Sequence, residues 1–199
     1  MTGPDLVAAM PHPFPAPSGT WQRTSPCCSA SSRSRPPYIL VAHSFGAQVA
    51  RLYAAQHPQR VAGLLLLDPS HEEKEERFEA VLQGELLQRH RAAWHDSTRN
   101  TEQVDRRRSA EVLRQAARPF AFPLVVLTRG RPLPPAPPWP TAELDQIEKE
   151  LQHTLLAEST QSHQIIATQS GHFIHHDEPE LVIGLLEQMV ETLRRSSQA

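Results

Sequence analysis

Four short apolar runs punctuate this chain, and each gives way to a stretch of a different period. Tyr38-Ile39-Leu40-Val41-Ala42, Ala62 to Leu67, Pro123 to Thr128 and Gln164-Ile165-Ile166-Ala167-Thr168 have the length and composition of strands. The second run does not alternate between apolar and polar residues. That predicts burial on both faces, and so a parallel sheet with helices outside it. Ala47 to His57 reads as a helix stopped by Pro58, with Ala47, Ala50 and Ala54 small enough to lie close to a sheet. Residues 70–118 are charged and helical, opening on His71-Glu72-Glu73-Lys74-Glu75-Glu76-Arg77. Phe78, Val81, Leu82, Leu86 and Trp94 supply a modest apolar stripe there. A further helix is predicted over Thr141–Glu158. Pro179 opens a last one, in which Val182, Leu185, Leu186, Met189, Val190 and Leu193 keep helical spacing. Strand–helix alternation of this kind predicts an α/β fold with right-handed crossovers. There is no internal repeat.

Proline placement adds domain boundaries. Of the 19 prolines, 8 fall in residues 1–37 and 6 in residues 131–140. The first group, with 6 serines and no sustained period, predicts a disordered, low-complexity head over 1–36. One domain is expected over 37–195, with a helical cap insertion at about 70–118. The chain totals 199 residues, 39% of them hydrophobic and 21% charged, enough for a small core.

Net charge and cysteine usage exclude several classes of function. A formal charge of −2 gives no pull toward nucleic acid or anionic membranes. Arg106-Arg107-Arg108, the compact basic run in a chain with 18 Arg and 2 Lys, is expected to be a solvated helix face. Cys27 and Cys28 are adjacent and offer no disulfide framework. No apolar run reaches membrane-spanning length, and the head has neither the basic start nor the apolar stretch of a signal peptide. A cytoplasmic protein is expected. No metal cluster or dinucleotide fingerprint is present, so no cofactor is implied.

The clearest chemical signal is Ala42-His43-Ser44-Phe45-Gly46, set between a strand and a helix. A serine hydroxyl needs a base to become a nucleophile. A tight strand-to-helix turn, flanked by the small residues Ala42 and Gly46, would present Ser44 at the carboxyl edge of the sheet. The amide of Phe45 would then lie at a helix amino terminus, where N–H groups can face an oxyanion. The competing reading of Ser44 is a helix N-cap.

The segment Tyr38–Ala50 resembles the nucleophile elbow of the α/β-hydrolase superfamily. Val61–Pro69 and Ser170-Gly171-His172-Phe173-Ile174 fit that family's later landmarks in order. The resemblance spans about residues 37–195 and is strongest to esterase, haloperoxidase-like and epoxide-hydrolase-like members. The first elbow glycine is replaced by Ala42. The resemblance implies a serine hydrolase acting on a small ester-like substrate through an acyl-enzyme intermediate, with His172 as base. His175 and His176 nearby are expected to be surface residues. The family's usual place for the acid is the loop after Leu124–Thr128. Here that loop, Arg129-Gly130-Arg131-Pro132-Leu133-Pro134, holds no carboxylate. Asp68, at the end of the preceding strand, is favoured ahead of Asp145 and Glu143, and Ser44, Asp68, His172 keeps the family's chain order.

Four predicted strands match the second half of the family's sheet of about eight. The loop that supplies a second oxyanion amide has no counterpart, which marks the chain as a fragment of the family fold. Strand 38–42 would lack a neighbour on one side, and an open edge invites pairing with a second copy. The alternative reading is a catalytically inactive remnant serving as an interaction or structural protein.

Overall fold

The computed structural model describes residues 36–94 and 104–196. The head expected over 1–36, all but its last residue, the cysteine pair and the middle of the helical insertion lie outside the described residues. Elsewhere the elements follow the apolar runs closely. Strand β1 is Tyr38–His43, helix α1 Gly46–Gln56 and strand β2 Val61–Leu67. Helices α2 (Lys74–Val81), α3 (Gly84–Trp94) and α4 (Arg106–Ala116) precede β3, Leu124–Arg129. Helix α5 (Thr141–Thr154) runs into a 3-10 turn, Leu155–Glu158. Strand β4 (Ser162–Ala167), the short α6 (Ile174–Asp177) and α7 (Pro179–Ser196) complete the order.

The four strands form one parallel sheet in the order β1-β2-β3-β4, so every crossover returns to the adjacent position. The leucine run of β2 shows why the pattern looked continuous. Leu64 and Leu66 face a core with Ala47, Ala50 and Ala54 of α1, while Leu65 and Leu67 face Leu185, Met189 and Val190 of α7. Each face is apolar, so a period of 2 leaves no polar trace. A third cluster joins Phe78 and Leu82 to Leu144, Ile147 and Leu151. Phe78 of the apolar stripe is therefore a core residue. The basic run also departs from expectation. Arg107 and Arg108 are exposed, but Arg106 is buried, its guanidinium 4.3 Å from the Trp94 ring centroid and 5.1 Å from that of Phe45. Two aromatic faces draw this one cation inward.

Strand β4 begins two residues earlier than its apolar core suggests and ends at Ala167. It is half exposed, with Ile166 50% accessible at the sheet margin. Among the described residues β1 has no partner on its outer side. None of the described helices is long and apolar enough to cross a membrane.

Candidate active site

Each strand of a parallel sheet ends at the same rim, and the candidate residues gather there. Ser44 follows β1 and Asp68 follows β2, one step past the paired His43 and Leu67. Among the described residues, Ser44 (φ 53°) and Asp68 (φ 41°) are the two non-glycine positions with left-handed backbone. Such a conformation costs about 1–3 kcal/mol and persists where the surroundings hold it. Here they do so by hydrogen bonds. The Ser44 N–H donates to Leu67 O at 3.0 Å, the Ser70 N–H donates to Ser44 O at 3.0 Å, and the Asp68 N–H donates to Leu127 O at 2.7 Å. Ser44 is not the N-cap of α1. Phe45 holds that position, without a side-chain cap.

His172 lies beyond β4 in a loop that acidic side chains fasten. The Gln169 N–H and the Ser170 hydroxyl donate to Glu178 Oε1 at 2.9 and 2.7 Å, and the Gly171 N–H donates to Asp177 Oδ2 at 2.8 Å. This holds His172 Nδ1 2.6 Å from Asp68 Oδ2. A proton on Nδ1 donated to the carboxylate leaves Nε2 as the acceptor. The His172 side chain is 39% exposed, whereas that of Asp68 is fully buried. Among the described residues no hydrogen bond joins Ser44 Oγ to His172.

Asp68 is the acid candidate that the geometry unites with His172. Burial alone would raise its pKa. The His172 hydrogen bond, the Arg129 charge and the Gln152 hydrogen bond outweigh burial and bring it down to about 2. Gln152 Nε2 donates to Asp68 Oδ1 at 2.9 Å. Asp145 instead accepts from Arg129 Nη2 at 2.7 Å and pairs with Lys149 at 2.7 Å. Glu143 is exposed in the first turn of α5.

Several residues at the rim had no assigned role in the sequence. Arg129 read as the start of a loop, but it is the last residue of β3 and 2% exposed. Its signal was a charge ending an apolar run. A Cβ on the next residue, Gly130, would fall 2.6 Å from Thr168 Cα, so glycine is required where β3 leaves the sheet. His43 Nε2–H donates to the carbonyl of His172 at 2.8 Å, and the two rings lie 4.5 Å apart. Burial, followed by the neighbouring His172 and His175, lowers the His43 pKa despite that hydrogen bond. His175 is likewise more than a surface residue. It is half-buried, with its ring centroid 4.8 Å from that of His43. His176, by contrast, is exposed.

A cavity of about 490 Å³ opens between α5 and β4, bounded by Arg129, Lys149, His153 and Gln164; neither Ser44 nor His172 lines it. Among the described residues no group of three His, Cys, Asp or Glu forms a metal site.

The sequence and the fold have parallels in known proteins. The uncharacterized protein YqjL of Bacillus subtilis (strain 168) is 28% identical over 158 residues, covering 74% of this chain and 54% of that protein. The chain thus spans about half the length of this curated relative. Mouse alpha/beta hydrolase domain-containing protein 10 superposes with a TM-score of 0.56 at 15% identity, over 86% of this chain and 68% of that one. The crystal structure of wild-type DBJA gives 0.55 at 12% identity, over 86% and 74%. At such identities the likeness is one of fold. The sequence pattern of the alpha/beta hydrolase family matches residues 6–185, beginning within the proline-rich head. A match over that span, on a parallel sheet with this strand-to-helix turn, makes the chain a member of the alpha/beta hydrolase family.

Proposed function

We propose that the chain is a serine hydrolase that cleaves a small ester-like substrate through an acyl-enzyme intermediate. The observation that carries this reading is the 2.6 Å Asp68–His172 hydrogen bond at the rim where Ser44 adopts positive φ. In the first step, His172 Nε2 accepts the Ser44 hydroxyl proton as Oγ bonds to the substrate carbonyl carbon. The resulting oxyanion accepts from the Phe45 amide at the start of α1. Collapse breaks the ester C–O bond, and His172 returns its proton to the leaving alcohol. Water, deprotonated by His172, then attacks the acyl carbon and releases the acid and Ser44. Asp68 keeps the imidazole in the tautomer that leaves Nε2 open and stabilises the imidazolium. Helices α2–α4 would cap the pocket and set substrate size, in a cytoplasmic enzyme. A fluorophosphonate probe tests this directly. Covalent labelling of the wild type and none of Ser44→Ala is expected; a folded wild type that takes no probe would overturn the reading.

A second reading is a non-catalytic interaction protein, favoured by the outer edge of β1, which has no described partner strand. In that case two copies would pair through residues 38–42. Sedimentation would show a wild-type dimer and a Tyr38→Pro monomer. Two monomers would remove the pairing.

A further inference from the structure

A polar side chain ends an apolar row on one face of the sheet. Ile39 and Val41 of β1 pack with Leu65, Leu67, Ile174 and Leu185 on the side that α6 and α7 cover. Side chains alternate along a strand, so His43 continues that row at the last position of β1. Its imidazole therefore lies one residue before Ser44, on the side where the His172 loop leads into α6.

The ring meets that loop in two ways. Nε2 lies 2.8 Å from the backbone carbonyl of His172, and the ring centroid lies 4.5 Å from that of His172 and 5.4 Å from that of Phe173. A carbonyl oxygen only accepts, so Nε2 carries the proton and donates. Burial lowers the His43 pKa, which favours the neutral ring. A neutral donor adds no charge beside the imidazolium that His172 would form.

The position of this bond is what matters. In the sheet, β1 and β4 are separated by β2 and β3. At about 4.8 Å per strand, the ends of β1 and β4 lie about 14 Å apart. Other bonds of the loop do not reach β1. Asp177 and Glu178 fasten it to the residues just downstream, the Arg131 N–H donates to Ser170 O at 2.9 Å from beyond β3, and Asp68 holds the ring from β2. The His43 bond spans 129 positions and comes from the strand that delivers Ser44.

Resting on the reading of His172 as the base, we propose that His43 is a positioning residue, whose Nε2–H holds the His172 backbone so that the imidazole is presented to Ser44. Asp68 fixes the rotation of the ring, and His43 fixes the backbone that carries it. With the first hold alone, the ring keeps its tautomer but swings away from Oγ. A misplacement of about 1 Å can cost about 10²-fold in rate.

Two substitutions separate the N–H from the ring. His43→Phe keeps a ring of similar size and loses the donor, whereas His43→Gln loses the ring and places an amide N–H at similar reach. The rate constant of fluorophosphonate labelling, and kcat for p-nitrophenyl acetate, should fall about 30-fold in His43→Phe with KM unchanged. In His43→Gln both should recover to within about threefold of the wild type. Amide hydrogen exchange in the full chain reads the same bond without activity. The Gly171 amide should exchange about tenfold faster in His43→Phe and near the wild-type rate in His43→Gln. If His43→Phe fails to fold, His43→Asn replaces it, since its shorter amide falls short of the carbonyl. Equal rates in the two variants, whether both low or both at the wild-type level, overturn the proposal and leave the hydrolase reading standing where the wild type takes the probe. A loop that loosens in His43→Phe but not in His43→Gln, when the wild type takes no probe, upholds the hold on His172 and removes the hydrolase reading.

Discussion

Among the described residues Arg51 and Arg129 are both buried against carboxylates, and they do different work. Arg51 of α1 is 1% exposed and donates to Glu72 through Nη1 at 2.6 Å and Nη2 at 3.0 Å. It also pairs with Glu158 beyond α5. Arg129 is 2% exposed and meets Asp68, Asp145 and Glu148. In the first cluster both carboxylates turn to the guanidinium, which ties α1 to the loop after β2 and to the turn after α5. In the second, Asp68 is divided between the guanidinium and a half-exposed histidine. Glu72 also lies 3.7 Å from His71 Nδ1, but the His71 side chain is 9% exposed. The first cluster therefore holds structure together, whereas a carboxylate shared with a titratable, accessible group can take part in chemistry.

The largest effect that would separate the clusters comes from Asp68→Asn. An amide cannot hold His172 in the required tautomer, so turnover of an ester substrate should fall about 10⁴-fold. Arg51→Met is the counterpart. It leaves Glu72 buried without its cation and should cost about 3–5 kcal/mol in urea denaturation. Activity per folded molecule should stay unchanged. Equal losses of activity in the two variants would erase the distinction.

How much of this was legible beforehand differs between the clusters too. Ser44, Asp68 and His172 each follow an apolar run, and a strand terminus in a parallel sheet is a visible place for chemistry. Residues that act across the sequence left no local mark. Arg129 looked like loop because a charge ended the β3 run. Gln152 lies on the buried side of a helix whose pattern shows its apolar residues. The link from Arg51 to Glu158 spans 107 positions. The strands themselves were readable, though not all of their end residues, because burial on both faces leaves a dense apolar run. Residues 6–36 show the reverse: the family pattern reaches them, yet no hydrophobic period does.

Acid titration sharpens the contrast at an intermediate scale. The Asp68 pKa of about 2 in the folded protein lies below the ordinary 3.8. Its contribution is therefore complete above pH 4 to 5 and disappears as pH falls toward 2. The difference corresponds to about 2 kcal/mol. The Glu72 pKa is also lowered, because its bonds to Arg51 and that residue's charge exceed the effect of burial. Both clusters should thus weaken in acid. In Asp68→Asn the loss between pH 4 and pH 2 should shrink, as measured by denaturation midpoints; an unchanged acid slope would show that the pair adds nothing to stability.

The smallest expected effect asks whether the clusters are independent at all. Helix α5 supplies Asp145, Glu148 and Gln152 to the Arg129 side, and the turn that continues it supplies Glu158 to Arg51. Glu158→Gln removes one charge from Arg51 but leaves the Glu72 pair in place. The Glu158 side chain is 21% exposed, so water can replace part of what is lost, and the cost should be about 1 kcal/mol. The pH profile of probe labelling should not move, because packing of Leu144, Ile147 and Leu151 against α2 fixes α5 upstream of that turn. A profile that did shift would mean the turn transmits strain to Gln152, and the separation between holding and reacting would fail at α5.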